Sequence, residues 1–269
     1  RIGNKSLETF KLFNDELTQF NLTAFSDKVE TLLKVQDSLL IILNTPAHNP
    51  TGYALTSDEW DGVLYVIKNH AAKGKKISLL ADVAYIDFSA DKKVAWSFAK
   101  KFAGIPSNIL IMLAFSMSKS YTFYGQRTGA LAAFSTDADV IKEFDDTNKF
   151  SCRATWSNVN NGAQVICSKI YRDENLRADL EKDQADLRNL VNSRAKIFVD
   201  EAAACGLKIV PYKGGFFIAV PAENPAAVCE KLHEDLIFAV PLKLGIRVAV
   251  CSMPLVKIPG VAEKLHAAI

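Results

Sequence analysis

The sequence has few of the features that mark membrane, nucleic-acid-binding or secreted proteins. Its longest apolar runs, such as LLIIL and ILIMLAF, have the length of a strand and are too short to span a membrane. The net charge is only +2, and no basic stripe is present. The N-terminal residues contain no signal-peptide core. We therefore expect a soluble, cytoplasmic protein with no nucleic-acid and no membrane partner.

Cysteine and histidine are scarce as well. The five cysteines are odd in number, widely spaced and mostly set in apolar segments, which favours reduced, buried thiols over a disulfide framework or a metal site. The four histidines have no ligand-like spacing with them, so we expect no metal. Internal repeats and low-complexity linkers are also lacking. The cysteines are Cys152, Cys167, Cys205, Cys229 and Cys251.

The first half of the chain alternates strand-like and helix-like patterns. Thr56 and Glu59 have the spacing of a capping box, and the segment after them places its apolar residues on one helical face. Another helix is predicted over 89–103. Apolar runs separated by amphipathic helices predict an α/β fold with a mainly parallel sheet flanked by helices on both faces. The predicted strands are 39–44, 77–82, 109–115 and 129–134.

The second half has a different pattern of predicted helices and strands. Three helical stretches end in a long charged one, and short strands and helices then follow. The sequence Lys213-Gly-Gly215 predicts a hairpin turn between two of these strands. We predict a large α/β domain over 1–180 and a smaller α+β domain over 181–269. The predicted elements are a helix over 173–205, strands over 207–211 and 214–220, a helix over 225–237, a strand over 246–252 and a terminal helix.

Polar residues follow three of the predicted strands. In an open α/β sheet, ligands bind at the carboxyl edge of the strands, so these residues are candidates for a site. Each also has an ordinary explanation taken alone: a turn, a helix cap or a solvated cation. The three segments are NTPAHNPTG (44–52), ADVAYIDF (81–88) and FSMSKSYTFYGQRTG (115–129).

Taken together, these motifs resemble the cofactor site of a known family. In order and spacing they are similar to those of fold-type I pyridoxal-phosphate-dependent aminotransferases of class I/II, the group of the aspartate and aromatic aminotransferases. The resemblance runs from about residue 35 to the C-terminus and implies a cytoplasmic homodimer that acts on amino acids and 2-oxo acids. The matching motifs are Asn49-Pro-Thr-Gly52, Asp82-x-x-Tyr85, Ser116-x-Ser-Lys119 and Arg127.

The resemblance implies a catalytic role for Lys119 and a supporting one for Asp82. Lys119 is expected to form the Schiff base with pyridoxal phosphate and then to carry the proton at the substrate α-carbon. Asp82 is expected to pair with the pyridine nitrogen and so to keep the ring an effective electron sink.

The remaining motif residues are expected to hold the cofactor in place. Tyr85 and Asn49 match residues that hydrogen-bond its phenolic oxygen. Ser116 and Arg127 match phosphate ligands, and Ser118 is a weaker candidate for the same role. Helix capping is an alternative role for either serine, and both roles can hold at once.

Two further arginines resemble substrate ligands of the family. Arg247, in GIRVAVCS, matches the arginine that binds the substrate α-carboxylate, although an exposed strand arginine is the alternative. Arg153, in CRATWSN, matches an arginine that reaches the distal carboxylate from a neighbouring subunit. That role implies at least a dimer and a dicarboxylic substrate such as aspartate or glutamate. Aromatic substrates are compatible if Phe216 and Phe217 approach the pocket, whereas their strand pattern favours the core.

No match is found for the N-terminal region of the family, including its glycine-rich turn and its ring-stacking aromatic residue. The sequence therefore predicts a truncated piece of an aminotransferase, inactive or only weakly loaded with cofactor. Two other functions stay open: a pyridoxal-phosphate-dependent C–S lyase or decarboxylase, and a non-catalytic aminotransferase-like sensing domain.

Overall fold

The computed structural model describes residues 6–269, so the first five residues of the predicted large domain lie outside the described part. The first half of the described chain contains a four-stranded sheet, here called the first sheet, with its strands in the order β1-β2-β3-β4. The first three strands are parallel, which confirms the prediction, whereas β4 pairs antiparallel with β3 at the edge. The strands are β1 (Ser38–Asn44), β2 (Lys76–Asp82), β3 (Ile109–Ser116) and β4 (Gly129–Phe134).

Two helices, α1 (Leu22–Val35) and α2 (Ser57–Ala71), contribute buried side chains to the same apolar core as this sheet. The predicted capping box is confirmed: Thr56 Oγ1 accepts the Glu59 N–H, and the Glu59 carboxylate accepts the Thr56 N–H. The predicted apolar face of α2 is also buried. Its buried residues are Trp60, Val63, Leu64, Val66, Ile67 and Ala71.

The single helix predicted over 89–103 is wrong. The chain leaves helical geometry at Trp96 (φ −91°, ψ 0°). Beyond this break, Phe98 stacks on Trp60 with ring centroids 5.0 Å apart, and Phe102 meets the same ring edge-on at 5.7 Å. Aromatic packing on α2 therefore accompanies the break in the helix. The segment consists of α3 (Lys92–Ala95) and a 3₁₀-helix (Ser97–Phe102).

The second half contains the three predicted helical stretches and an antiparallel sheet in the order β5-β7-β6. Of these three strands, β6 is a short element that the sequence pattern does not reveal. The strands are β5 (Phe217–Pro221), β6 (Val240–Leu242) and β7 (Gly245–Ala249). The short helix α4 (Met117–Ser120) lies between β3 and β4 of the first half. The helices of the second half are α5 (Ala138–Thr155), α6 (Asn161–Arg172), α7 (Glu174–Cys205), α8 (Pro225–Glu234) and α9 (Val261–Ala268).

The strand predicted over 207–211 does not form, so Lys213-Gly-Gly215 is not a hairpin turn. The glycines instead let the chain cross closely over another loop. Gly215 has φ +92°, and a Cβ placed on it would lie 2.7 Å from the Ala47 Cβ. The Gly215 N–H donates to the Phe88 carbonyl at 3.0 Å. The segment thus joins the second half of the chain to the end of the first sheet.

Two apolar clusters make up the core, one around the first sheet and one around the second. Helix α7 contacts both halves: its Gln184 side chain donates to the Ser120 carbonyl at 2.8 Å, and Arg194 donates to the Cys251 carbonyl at 2.6 Å. The predicted domain boundary at residue 180 falls within this helix. Within residues 6–269, no helix is both long and apolar enough to cross a membrane.

Candidate active site

Parallel pairing brings three of the predicted motif segments to one edge of the first sheet. Asn44, Asp82 and Ala114 are neighbours in register at the carboxyl ends of β1, β2 and β3. The segments that follow these strands therefore start side by side, as the sequence predicts. The residues of the second sheet reach the same place from the other half of the molecule.

Asn44 organises the loop that follows β1. Its side-chain oxygen accepts the Asn49 N–H at 2.7 Å, and its amide nitrogen donates to the Asp82 carbonyl at 3.1 Å. Asn44 was not among the predicted site residues, although a polar residue that ends an apolar run is a signal for such a position. The loop is thereby fixed to the neighbouring strand.

A chain of hydrogen bonds joins three predicted site residues. The Asn49 amide donates to the Tyr85 hydroxyl at 3.4 Å, and its oxygen accepts from Arg247 Nη1 at 3.1 Å. Arg247 comes from β7, 198 positions after Asn49 in the chain. One amide side chain therefore connects the two sheets.

Lys119 lies on α4 among aromatic rings. Its Nζ is 5.5 Å from the centroid of the Tyr85 ring and 4.7 Å from that of Tyr124. No carboxylate of the described residues forms an ion pair with this amine. Tyr124 was not predicted as a site residue; its position between Lys119 and Arg127 in the sequence is the only signal for it. The amine is thus beside Tyr85 without a counter-ion.

The three remaining cofactor candidates make local contacts. Ser116 caps α4 by accepting the Ser118 N–H at 3.3 Å, which confirms the capping alternative. Arg127 is exposed and left-handed (φ +51°), and its Nη1 donates to the Tyr124 carbonyl at 3.0 Å. Asp82 is half-buried, and its Oδ1 accepts the Ala84 N–H at 3.1 Å.

Arg247 presents unused donors in a half-buried position. Its guanidinium carbon lies 4.4 Å from the centroid of the Phe217 ring. Its Nε is buried and has no hydrogen-bond partner. Among the described side chains no carboxylate pairs with this arginine. A half-buried guanidinium with an unpaired buried donor is suited to bind an anion, because leaving the donor unpaired is costly.

Aromatic side chains surround the Tyr85 phenol. Phe216 and Phe217 are half-buried, and their rings meet the Tyr85 ring edge-on with centroids 5.4 and 6.0 Å apart. Both phenylalanines therefore approach the candidate site. Burial raises the pKa of the Tyr85 hydroxyl, and the Asn49 amide beside it acts in the opposite direction. The phenol stays protonated at neutral pH and is able to donate a hydrogen bond.

Arg153 lies apart from the other predicted residues. It is exposed near the end of α5, and its Nη1 donates to the Ser157 hydroxyl at 2.5 Å. The structure therefore brings together Asn49, Tyr85, Lys119 and Arg247, with Asp82 at the same sheet edge, and does not bring Arg153 to them.

Comparison with known proteins identifies a family. The sequence profile of the family described as Aminotransferase class I and II matches residues 8–265. The chain is 30% identical to the Aromatic-amino-acid aminotransferase of Escherichia coli K12 over 180 residues, which are 66% of this chain and 42% of that protein.

Solved structures show the same fold. The crystal structure of an aminotransferase from Anaerococcus prevotii superimposes with a TM-score of 0.93 at 37% identity, covering 96% of this chain and 63% of that one. An aromatic-amino-acid aminotransferase from Burkholderia pseudomallei, described as covalently bound to pyridoxal phosphate, has a TM-score of 0.78 at 21% identity. The superposition covers 96% of this chain and 62% of the Burkholderia chain, and at this identity it shows the fold alone. The chain spans less than two thirds of each of these relatives.

Proposed function

Because this chain belongs to the class I and II aminotransferases, we propose that it binds pyridoxal phosphate and moves an amino group between an amino acid and a 2-oxo acid. One observation carries the proposal: Asn49 bridges Tyr85 and Arg247, and the Lys119 amine lies 5.5 Å from the Tyr85 ring. Residues far apart in sequence thus place an amine, a phenol and a carboxylate-binding guanidinium around one space.

The donors and acceptors present suit this cofactor. Asp82 offers an acceptor for a protonated ring nitrogen, Tyr85 and Asn49 offer hydrogen bonds to a phenolic oxygen, and Lys119 offers an amine without a counter-ion. When bound, pyridoxal phosphate supplies an aldehyde that condenses with amines and a ring that accepts electron density from the α-carbon.

Each residue of the chain then has a distinct task. Arg247 binds the α-carboxylate of the substrate through its free edge and so orients the α-hydrogen. Lys119 takes the proton from the α-carbon and returns one as general base and acid. Asp82 holds the proton on the ring nitrogen. The rings of Phe216 and Phe217 beside Tyr85 limit the access of water.

The phosphate ligands are assigned to Ser116 and Arg127. The Ser116 hydroxyl caps α4 and retains its own proton for a phosphate oxygen. Arg127 supplies charge, and its exposed guanidinium uses one nitrogen for the Tyr124 carbonyl, which leaves further donors.

Specificity for the side chain is assigned to Arg153 of a second copy of the chain. Its exposure near the end of α5, together with its hydrogen bond to Ser157 and not to the other predicted site residues, supports delivery from a neighbouring subunit. A homodimer that accepts aspartate or glutamate follows from this assignment. The approach of Phe216 and Phe217 to Tyr85 supports aromatic amino acids as substrates as well. The five unpaired cysteines support a cytoplasmic location.

A titration of the chain with pyridoxal phosphate tests the proposal. Binding at Lys119 is expected to produce a visible absorbance band that the Lys119→Ala variant lacks. A screen of amino acids should then bleach the band, and a 2-oxo acid should restore it. Release of ammonia without any need for a 2-oxo acid would contradict transamination and favour the lyase. The same titration shows how weakly the 269-residue chain binds the cofactor.

A further inference from the structure

Phe217 and Arg247 lie on the same face of the second sheet. Phe217 pairs with Ala249, and Arg247 pairs with Ala219 two positions along β5. Because side chains alternate between faces, Phe217 and Arg247 are diagonal neighbours, a spacing that long and aromatic side chains bridge. The contact is direct, since the guanidinium carbon lies 4.4 Å from the ring centroid.

The contact restricts how Arg247 is able to bind a ligand. The guanidinium carbon lies over the Phe217 ring, and Asn49 accepts from Nη1. The buried Nε has no partner. The donors that no described residue accepts remain for a ligand, and a carboxylate engages such donors edge-on with both oxygens.

The position of Phe217 is itself fixed by the loop that carries Asn49. A Cβ on Gly52, which has φ +70°, would lie 2.5 Å from the Phe217 carbonyl oxygen. The Gly52 carbonyl also accepts the N–H groups of Lys213 and Gly214 at 2.8 and 3.1 Å. Only a residue without a Cβ permits this close approach of loop and strand.

We propose that Phe217 is a positioning residue that sets the plane of the Arg247 guanidinium, so that the free edge of Arg247 faces the carboxylate of the substrate. The proposal rests on the proposed carboxylate-binding function of Arg247. It assigns to Phe217 a task beyond filling the core: orientation of the donor that recognises every substrate.

The test measures the affinity of the chain, mixed with pyridoxal phosphate, for maleate, an unreactive dicarboxylate, by calorimetry. Phe217→Leu removes the ring and is expected to weaken maleate binding about three- to thirty-fold. Phe217→Tyr keeps the ring and should bind maleate like the unsubstituted chain. Phe102→Leu is the matched control, since Phe102 is a buried ring that packs on Trp60 in the first core and lies outside the candidate site. Phe217→Met replaces the leucine variant if that variant does not fold.

A spectroscopic signature reports the contact without any ligand. In a chain with ¹⁵N-labelled arginine, the Nε–H resonance of Arg247, identified by its loss in Arg247→Lys, should carry a ring-current shift. Phe217→Leu should abolish that shift, and Phe102→Leu should leave it in place. An unchanged resonance in Phe217→Leu overturns the proposal.

A double-mutant cycle separates this proposal from the proposed function. In the Arg247→Lys background, Phe217→Leu should cause no further loss of maleate affinity. Equal losses in both backgrounds, or no loss in Phe217→Leu alone while Arg247→Lys weakens binding, overturn the positioning role and leave the proposed function standing. If Arg247→Lys does not weaken binding, or the unsubstituted chain does not bind maleate, both fail.

Discussion

The two faces of the first sheet differ in how they are covered. On one face every central side chain is buried, with Leu79 and Ile111 fully inaccessible. On the other face Leu40 and Ile42 of β1 remain 55% and 56% exposed. The same strands thus contribute to a packed core on one side and to an open apolar surface on the other.

The open face is also the face of the candidate site. Because side chains alternate along a strand, Asn44 lies on the same face as Ile42, and its neighbour in register is Asp82. The covered face supplies the stability that holds these polar strand ends in register, and the open face carries the chemistry. The same substitution should therefore lower the free energy of unfolding more on the covered face than on the open face.

The largest effect is expected from a matched pair of leucine truncations. Leu79→Ala removes a fully buried side chain and should lower the free energy of unfolding by about 3 kcal/mol or more. Leu40→Ala removes the same atoms from the open face and should cost less than about 1 kcal/mol. Urea unfolding followed by circular dichroism measures both, and equal losses would contradict the difference between the faces.

The free energy of unfolding is expected to depend on pH through His48, in the loop that follows β1. Burial lowers the pKa of His48 from 6.5 to about 4, and its Nδ1 lies 2.8 Å from Thr51 Oγ1. Between these values the unfolded chain binds a proton that the folded chain does not. The free energy of unfolding should thus fall as the pH falls through this window, by at most about 3 kcal/mol.

Urea unfolding at several pH values checks this expectation. His48→Asn removes the titrating group, so the stability of this variant should depend less on pH between 6.5 and 4. An identical pH dependence in both proteins would show that His48 does not titrate as its burial implies.

A smaller loss is expected at the helix cap on the covered side. Thr56→Ala removes the hydroxyl that accepts the Glu59 N–H and should cost about 1 kcal/mol of unfolding free energy. Thr56→Ser keeps the hydroxyl and serves as the control. Thermal unfolding that is indistinguishable for all three proteins would contradict a role for the cap.

The smallest effect on stability is expected from a polar substitution on the open face. Ile42→Thr keeps a β-branched residue in β1 and should change the free energy of unfolding by no more than about 0.5 kcal/mol. It should also reduce self-association, because it interrupts an exposed apolar patch. Light scattering across a concentration series measures this, and a loss of stability as large as that of Leu79→Ala would show that the face is not open.

Sequence patterns predicted the elements that local physics determines. The three parallel strands and the capping box at Thr56 arise from short apolar runs and from hydrogen bonds within one turn. The elements that failed depend on distant partners: the helix is interrupted at Trp96 beside rings that pack on Trp60, and Gly215 crosses Ala47 instead of closing a hairpin.

The candidate site shows the same division. Motif order located Asn49 and Lys119, which the structure places around Tyr85. It did not reveal that Asn49 binds Arg247 or that Phe217 lies against that guanidinium, because each contact joins different segments of the chain. Contacts between elements far apart in sequence leave no local pattern to read.

The Asn49 amide determines which contacts of the site are lost first when part of the protein unfolds. One of its hydrogen bonds ends on Tyr85, in the segment after β2, and the other on Arg247 of β7, so the three residues stay together only while both halves of the molecule are folded. Local opening of the second core would carry Arg247 away and leave Asp82, at the end of β2, and Lys119, on α4 after β3, in place. Substrate binding would then be lost before the strand ends that surround the lysine are disturbed, and amide hydrogen exchange would detect the two events in that order.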